Sequence, residues 1–341
     1  MEWFGFHVED EGAAGDSDGK IVVVGTIFMD IKGFPEKPFY PTGRNKGRIE
    51  YAYGGVARNV AEDLAGLGLH PLFVSMADRE GAGAVSVEQM KRDGVITDHI
   101  LRVDDCIGTW MVILTPEGDV CANLSKRQNL FPLCEYMREH GERIFADAKA
   151  VVVEMDVEEP VVAEVFSWAE RYQIPVYGVI SNMTIAKERI AYIQRTACFV
   201  CNRQEAGVLF DLDMEFMDPE RILKIMPLAM QKAGIGTMVI TMDKDGAAYA
   251  SYRTAVDVSA ASSDGETYGT AQGDESNLPE LISCGICPAV PVEVVDTTGA
   301  GDSFFSGVTA GLIKGLELGD ACKIGAQMAA QVISKSENVF R

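Results

Sequence analysis

Basic residues are scarce in this chain: 30 Lys and Arg face 51 Asp and Glu, for a formal charge of −21. That deficit argues against nucleic acid or an anionic membrane as partner, since both are held by concentrated positive charge. Long hydrophobic runs are lacking as well. No stretch approaches the roughly 20 apolar residues of a membrane span. The early segment "VEDEGAAGDSDG" is acidic where a secretory leader would be basic and then apolar. The expected location is the cytoplasm. No repeat of fixed period is found. What the chain does have is 341 residues with 47% hydrophobic content, enough for the core of one large or two ordinary domains. With so few cations, a polyphosphate ligand would have to be held by backbone amides, a few local cations and a metal.

Eight cysteines include two C-x-x-C pairs, Cys198/Cys201 and Cys284/Cys287. A zinc ribbon needs such pairs to converge, but "ACFVCN" reads as a buried strand, in which residues three apart point to opposite faces. Reduced thiols are the reading that follows.

Apolar segments "KIVVVGTIF", "PLFVSMA", "AVVVEM", "IPVYGVI", "ACFVCN", "GTMVITM" and "PVEVV" alternate with amphipathic ones. This βαβ order predicts an α/β fold with a doubly wound, mostly parallel sheet and ligands at the carboxyl ends of its strands. Two further segments, about 28–53 ("GRIEYAYGG" begins within it and runs two residues past it) and 105–125 ("IGTWMVILTPEGDVCANL"), interrupt that order. They read as a small β-sheet lid, the second a hairpin about Pro-Glu-Gly-Asp. Residues 1–19 are polar and Gly-rich and are expected to form a mobile acidic tail. The mostly polar stretch 259–289 is expected to be a mobile loop.

The stretch "VDTTGAGDSFFSGVTAGL" places Asp296 and Asp302 around Gly299, Ala300 and Gly301. An apolar helical period then follows through Phe304, Phe305, Val308 and Leu312. A helix N-terminus presents unpaired N–H groups and the positive end of its dipole, so small residues there admit an anion close to the backbone. A carboxylate at that place repels a phosphate. The conflict is resolved if Asp302 accepts a proton from a hydroxyl attacking that phosphate. The plain alternative is a capped helix with a tight glycine turn. A second constellation, "GGVARNVAEDLAGLG", sets Asn59 one turn past Gly54 and Gly55 on an amphipathic helix, where its amide can join the glycine backbone around a polyhydroxyl ligand.

The acid–small–small–small–acid arrangement resembles the phosphate-binding signature of the ribokinase, or PfkB-type, sugar and nucleoside kinases. The likeness runs from about Lys20 to Arg341 with its motifs in order. It implies a ribokinase-like fold and ATP-dependent phosphorylation of a primary hydroxyl, with Asp302 as base and the Gly299–Gly301 amides as anion hole. It further implies that Asp30 binds sugar hydroxyls and that Gly54, Gly55 and Asn59 line the substrate. Asn202 and Glu205 in "CNRQEAG" then stand beside the phosphates and Mg²⁺, the latter through water. Thr241 and Gly246 in "ITMDKDGAAY" border the nucleotide, although Asp243 replaces a usual Gly. Asp296 and Thr298 match positions next to a monovalent cation, typically K⁺. Within the family the pattern "TGRNKGRIEYAYGGVARN" is most similar to the pseudouridine-kinase branch. That branch would add Asn45, Glu154, Thr184 and Lys187 to the substrate side. Ser181, Asn182 and Asn123 depart from it.

Pseudouridine is therefore the expected acceptor. A ribokinase-like or ketohexokinase-like sugar kinase is one alternative. A catalytically silent sugar- or nucleoside-sensing protein is another, which the intact Asp302 and glycine turn disfavour. A homodimer is expected through the lid, with Trp110, Val112 and Leu114 as exposed apolar residues.

Overall fold

The computed structural model describes residues 2–3, 6–7, 19–115, 120–180, 182, 184–252, 280–335 and 338–340. Within the segment expected to be a tail, β1 (Glu2–Trp3) and β2 (Phe6–His7) pair as a short antiparallel ribbon. The rest of that segment up to residue 18, the Pro-Glu-Gly-Asp turn and residues 253–279 lie outside the described residues.

The expected first strand "KIVVVGTIF" is divided. Its first part is β3 (Ile21–Val24), and β4 (Phe28–Pro35) begins after a bend at 25–27. The bend has a clear cause. Thr26 N–H and Ile27 N–H donate to the side chains of Glu154 and Gln128 rather than to a neighbouring strand. Chain order then gives β5 (Gly47–Gly54), α1 (Val56–Gly66), β6 (Pro71–Asp78), α2 (Gly81–Arg92) and β7 (Ile96–Val103). After β8 (Gly108–Leu114) and β9 (Val120–Lys126) come α3 (Leu133–Phe145), β10 (Ala150–Glu154), α4 (Glu159–Tyr172) and β11 (Val176–Val179). Two short turns of helix, α5 (Ile185–Glu188) and α6 (Ile190–Ile193), lead to β12 (Cys198–Asn202), α7 (Arg203–Phe210), α8 (Pro219–Ala233), β13 (Thr237–Thr241) and β14 (Ala247–Ser251). The chain closes with β15 (Ser283–Cys287), α9 (Ala300–Ile313) and α10 (Leu318–Ile333).

The main sheet has the order β15-β14-β13-β12-β11-β10-β3-β6-β7. It is parallel from β13 to β7, and β14 and β15 run antiparallel at one edge. Its central strands are continuous apolar runs because both faces are covered. Val22, Val24, Val151 and Val153 pack into one core with α3, α4 and α8. Ile21, Val23, Ala150 and Val152 pack into the other with α1, α2, α9 and α10. Cys201 belongs to the first core and Cys198 to the second, so the strand holds the two thiols on opposite faces, as its period requires. Strand order reverses between β3 and β10, the point where ligands of doubly wound sheets bind.

Two expected elements differ. Ser283–Cys287, expected within a loop, instead forms an edge strand paired with β14 from Ala247 to Ser251. "PVEVV" is β-branched but forms no strand. Val294 and Val295 are largely exposed, and the amides of Val295 and Asp296 both turn to the carbonyl of Ile333 at the end of α10.

The small sheet has the order β5-β4-β8-β9 and stands where a lid is expected. Its register corrects the choice of exposed face. Tyr51, Ile31, Met111 and Leu124 form one row across the sheet, in which Tyr51 and Leu124 are among the more exposed large apolar residues described. Asp30, Lys32, Trp110 and Val112 share the opposite face, and Val112 is fully buried.

Candidate functional site

The carboxyl ends of β3 and β10 meet at a buried carboxylate. Glu154 accepts from the Thr26 amide (2.9 Å) and the Thr26 hydroxyl (2.8 and 3.0 Å). Burial pushes its carboxyl up to about 7, and these donors hold it back only in part. Glu154, expected on the substrate side, has both oxygens engaged by Thr26 at the bend from which the lid departs.

From that bend β4 carries Asp30 outward, and β5 returns through Gly54 and Gly55 into α1. The Asp30 carboxylate occupies the space a side chain at Gly54 would need, since a Cβ there would lie 2.4 Å from Asp30 Oδ2. Gly55 has φ +108° and lies against the Thr26 carbonyl, a conformation and a contact that exclude larger residues. Asp30 is almost buried. Burial raises its carboxyl to about 6, against the lowering pull of Lys32 and Arg58.

Helix α9 opens on Gly299 at φ +82°, with a backbone carbonyl of the C-terminal segment, that of Asn338, where a Cβ would project. Nothing lies within 4 Å of the corresponding direction at Gly301, so the first turn of the helix faces open space. Asp302 follows. Its Oδ2 accepts from Asn59 Nδ2 at 2.7 Å, and the amide is oriented by donors on its other end, Arg58 Nη1 at 3.2 Å and Asn338 Nδ2 at 3.4 Å. Burial raises the Asp302 carboxyl to about 7; Asn59 opposes the rise, and the charges of Asp30 and Glu205 add to it. A carboxyl at about 7 is substantially ionised at neutral pH and yet basic enough to take a proton.

The C-terminal segment is tied down over α1 by Asp63, which is fully buried and receives the Phe340 amide (2.6 Å) and the Ser306 hydroxyl (3.1 Å). Asn338 reaches from there to the Tyr53 carbonyl at 2.9 Å.

The turn before α9 is stiffened by Asp296, whose Oδ1 accepts from the amide (2.9 Å) and hydroxyl (2.8 Å) of Thr298. Lys32, on the cleft face of the lid, places its Nζ 3.3 Å from Asp296 Oδ2 and 3.2 Å from Thr298 Oγ1. Burial alone would raise Asp296, but the Thr298 donors and the Lys32 ammonium outweigh it and hold the carboxyl below its usual range.

Across the cleft, Asn202 and Glu205 form a reciprocal capping box on α7, through Glu205 N to Asn202 Oδ1 (2.9 Å) and Asn202 N to Glu205 Oε2 (2.8 Å). Capping engages one oxygen of Glu205, and the residue is close enough to Asp302 for its charge to be felt there. Thr241 ends β13, and Gly246 closes the following turn against the carbonyl of Cys287. Asp243, where the resemblance expects glycine, has φ +51°, the left-handed conformation glycine favours. Among the described residues no group of three or more His, Cys, Asp or Glu could hold a metal by itself.

Three residues expected on the substrate side have other partners. Asn45 closes its own loop by bonding Tyr40 and Gly43. Thr184 is exposed and bonded to Asn182. Lys187 pairs with Asp211, at the end of α7 opposite its capping box. Three contributors were not singled out from the sequence. Arg58 lies inside the Gly-Gly-Val-Ala-Arg-Asn pattern without a role assigned to it and Asn338 carries no motif, whereas Lys32 lies two residues after Asp30, a strand spacing that puts both on one face.

Comparison with known proteins bears on this geometry. Residues 18–267 and 283–339 match the family model described as pfkB family carbohydrate kinase. The guanosine-inosine kinase of Exiguobacterium acetylicum is 30% identical over 320 residues, spanning 94% of this chain and 96% of that protein. The pseudouridine kinase of Escherichia coli is 24% identical over 318 residues, spanning 92% and 90%. Among solved structures, Arabidopsis thaliana ribokinase with ribose and ATP superposes with a TM-score of 0.69 at 19% identity, covering 94% of each chain.

Proposed function

The chain belongs to the pfkB family of carbohydrate kinases and is an ATP-dependent phosphotransferase with a hydroxyl acceptor; from this premise we propose that it phosphorylates the 5′-hydroxyl of a ribonucleoside. The observation that carries the mechanism is the Asp302 carboxylate, raised by burial and aimed by Asn59, at the mouth of an anion-binding turn. The acceptor hydroxyl lies between Asp302 and the γ-phosphorus. Asp302 takes its proton as the new O–P bond forms and the bond to ADP breaks, and the amides of Gly299, Ala300 and Gly301 meet the charge on the transferring group. Asp30 accepts from the sugar hydroxyls, and the lid excludes water that would otherwise compete as acceptor. Mg²⁺, when bound, would neutralise part of the phosphate charge. Glu205, with one oxygen left by the capping box, suits contact with that ion through water, in keeping with the lack of a closed protein cage among the described residues.

A nucleoside is favoured over a free sugar because the guanosine-inosine kinase and the pseudouridine kinase quoted above, each matched over nine-tenths or more of its length, are named for nucleosides, whereas the ribokinase structure quoted beside them is only 19% identical. The higher identity of the guanosine-inosine kinase puts guanosine and inosine first. Pseudouridine is the second reading. It rests on the Gly-Gly-Val-Ala-Arg-Asn pattern, and it loses support from Thr184 and Lys187, whose partners lie elsewhere. Eight free thiols and an ATP cosubstrate suit the reducing cytoplasm. The exposed apolar row Tyr51, Met111 and Leu124 suits a dimer formed through the lids. The test is ADP release with Mg-ATP on guanosine, inosine, pseudouridine, uridine and ribose. Turnover confined to ribose would contradict the nucleoside reading.

A further inference from the structure

Lys32 is the one lid cation described above that reaches the anion-binding turn. Its stem runs along the cleft face, its side chain is only 14% exposed, and its ammonium engages both Asp296 Oδ2 and Thr298 Oγ1. Asp296 then has both oxygens committed, Oδ1 to the amide and hydroxyl of Thr298 and Oδ2 to the ammonium. Thr298 in turn leads into Gly299, so the ammonium is two bonded contacts from the amides that would hold the phosphoryl group. The backbone of this turn is also pinned behind, through Val295 and Asp296 to the Ile333 carbonyl.

A free monovalent cation beside Asp296 and Thr298, as the family resemblance implies, would need these same oxygens. A lysine ammonium has the charge of a potassium ion and a similar radius, and it is compact enough to take the same place. The residues present therefore do not fit an added ion at that point. We propose that the Lys32 ammonium is the fixed cation of the phosphate-binding turn, standing in for a free monovalent cation, and that the chain does not depend on K⁺. Because Lys32 belongs to β4, this cation arrives with the lid. Lys32 acts through Asp296 and Thr298 and is a positioning residue.

This inference rests on the kinase reading, and the experiment separates the two. ADP release and thermal melting of the ligand-free protein are measured for the unmodified chain, Lys32→Met and Lys32→Arg. Each is measured in KCl and in tetramethylammonium chloride at equal ionic strength. The unmodified chain is expected to show the same rate and melting temperature in both salts. Lys32→Met should lose about 10- to 100-fold in kcat without K⁺, at or below the loss from deleting a direct oxyanion donor. It should regain most of that rate in KCl and also melt at a higher temperature there, while Lys32→Arg, which keeps the charge on a larger planar head group, should fall between Lys32→Met and the unmodified chain. Several-fold activation or stabilisation of the unmodified chain by K⁺ would overturn the proposal. So would full activity of Lys32→Met without K⁺, or a loss that K⁺ neither restores nor accompanies with stabilisation. No ADP release from any acceptor in either salt would count against the kinase reading alone, and the melting curves would still decide the cation question.

Discussion

Asn59 donates its side-chain N–H to Oδ2 of Asp302 at 2.7 Å, joining α1 to α9 across 243 residues of sequence. The bond favours the ionised carboxylate, so under the proposed mechanism Asn59 would tune the base. A hydrogen bond to a charged group contributes about 1.5–3 kcal/mol, which corresponds to roughly one to two pH units. In Asn59→Ala the acid limb of the kcat/KM profile should move up from about 7 by that amount. The rate at pH 7 would fall about 5- to 50-fold and recover toward pH 9. A uniform loss at every pH, with the limb unmoved, would reduce Asn59 to a substrate contact.

The glycines of the turn separate folding from ligand binding. A Cβ at Gly299 would lie 2.0 Å from the Asn338 carbonyl oxygen at φ +82°. Gly299→Ala should therefore cost at least about 2 kcal/mol of stability, measured by denaturant or thermal unfolding. A Cβ at Gly301 meets nothing within 4 Å. Gly301→Ala should melt like the unmodified chain yet lose about 10- to 100-fold in turnover, because the methyl occupies phosphate space. Equal behaviour of the two variants would argue against an anion site.

Stability should depend on pH with an unusual sign. Asp30, Glu154 and Asp302 titrate in the folded protein at about 6, 7 and 7, each above its unfolded value near 4. The folded state then binds protons more tightly than the unfolded state. The contribution of these groups is complete below about pH 4 and is lost as pH rises through 6 to 7. Melting of the ligand-free protein should thus fall between about pH 5 and pH 8, and Glu154→Gln should flatten that slope. A melting temperature that rises across this interval would contradict the assignment.

Tyr51, Met111 and Leu124 stand in one exposed row across three lid strands. If lids pair through that row, Leu124→Glu should convert a dimer into a monomer in sedimentation at micromolar concentration, with the fold retained by circular dichroism. A monomer before substitution would contradict pairing.

Much of this was legible in the sequence, for reasons that differ by element. The parallel sheet could be read because strands covered on both faces are unbroken apolar runs, as in Ile21–Val24 and Ala150–Glu154. The place of Asp302 in the first turn of a helix could be read because an apolar helical period starts directly after the small residues. The stretch "PVEVV" misled, because β-branched residues announce a strand only where a partner strand exists, and here the amides of Val295 and Asp296 find the end of α10. Ser283–Cys287 was hidden by small residues and by its polar surroundings, although pairing with β14 needs only backbone. Glu154 lay on a legible strand, but whether its carboxylate faced the cleft or Thr26 depended on the bend at 25–27. Asn338 acts through contacts with Tyr53 and Asn59, 285 and 279 residues away in sequence, which no local pattern encodes.

The central claim is that Asp302 takes the acceptor's proton. Asp302→Asn keeps the shape and the neighbour at Asn59 but cannot accept that proton, and it removes a negative charge beside the phosphates. Single-turnover and steady-state kcat, together with ATP affinity, should be measured on the acceptor found in the nucleoside panel, with circular dichroism to confirm the fold. The expected result is a fall in kcat of about 10²- to 10⁴-fold with ATP bound as tightly as before or slightly more so. Turnover near that of the unmodified chain would mean that the acid at the mouth of α9 only caps a helix, and the mechanism would fall with it.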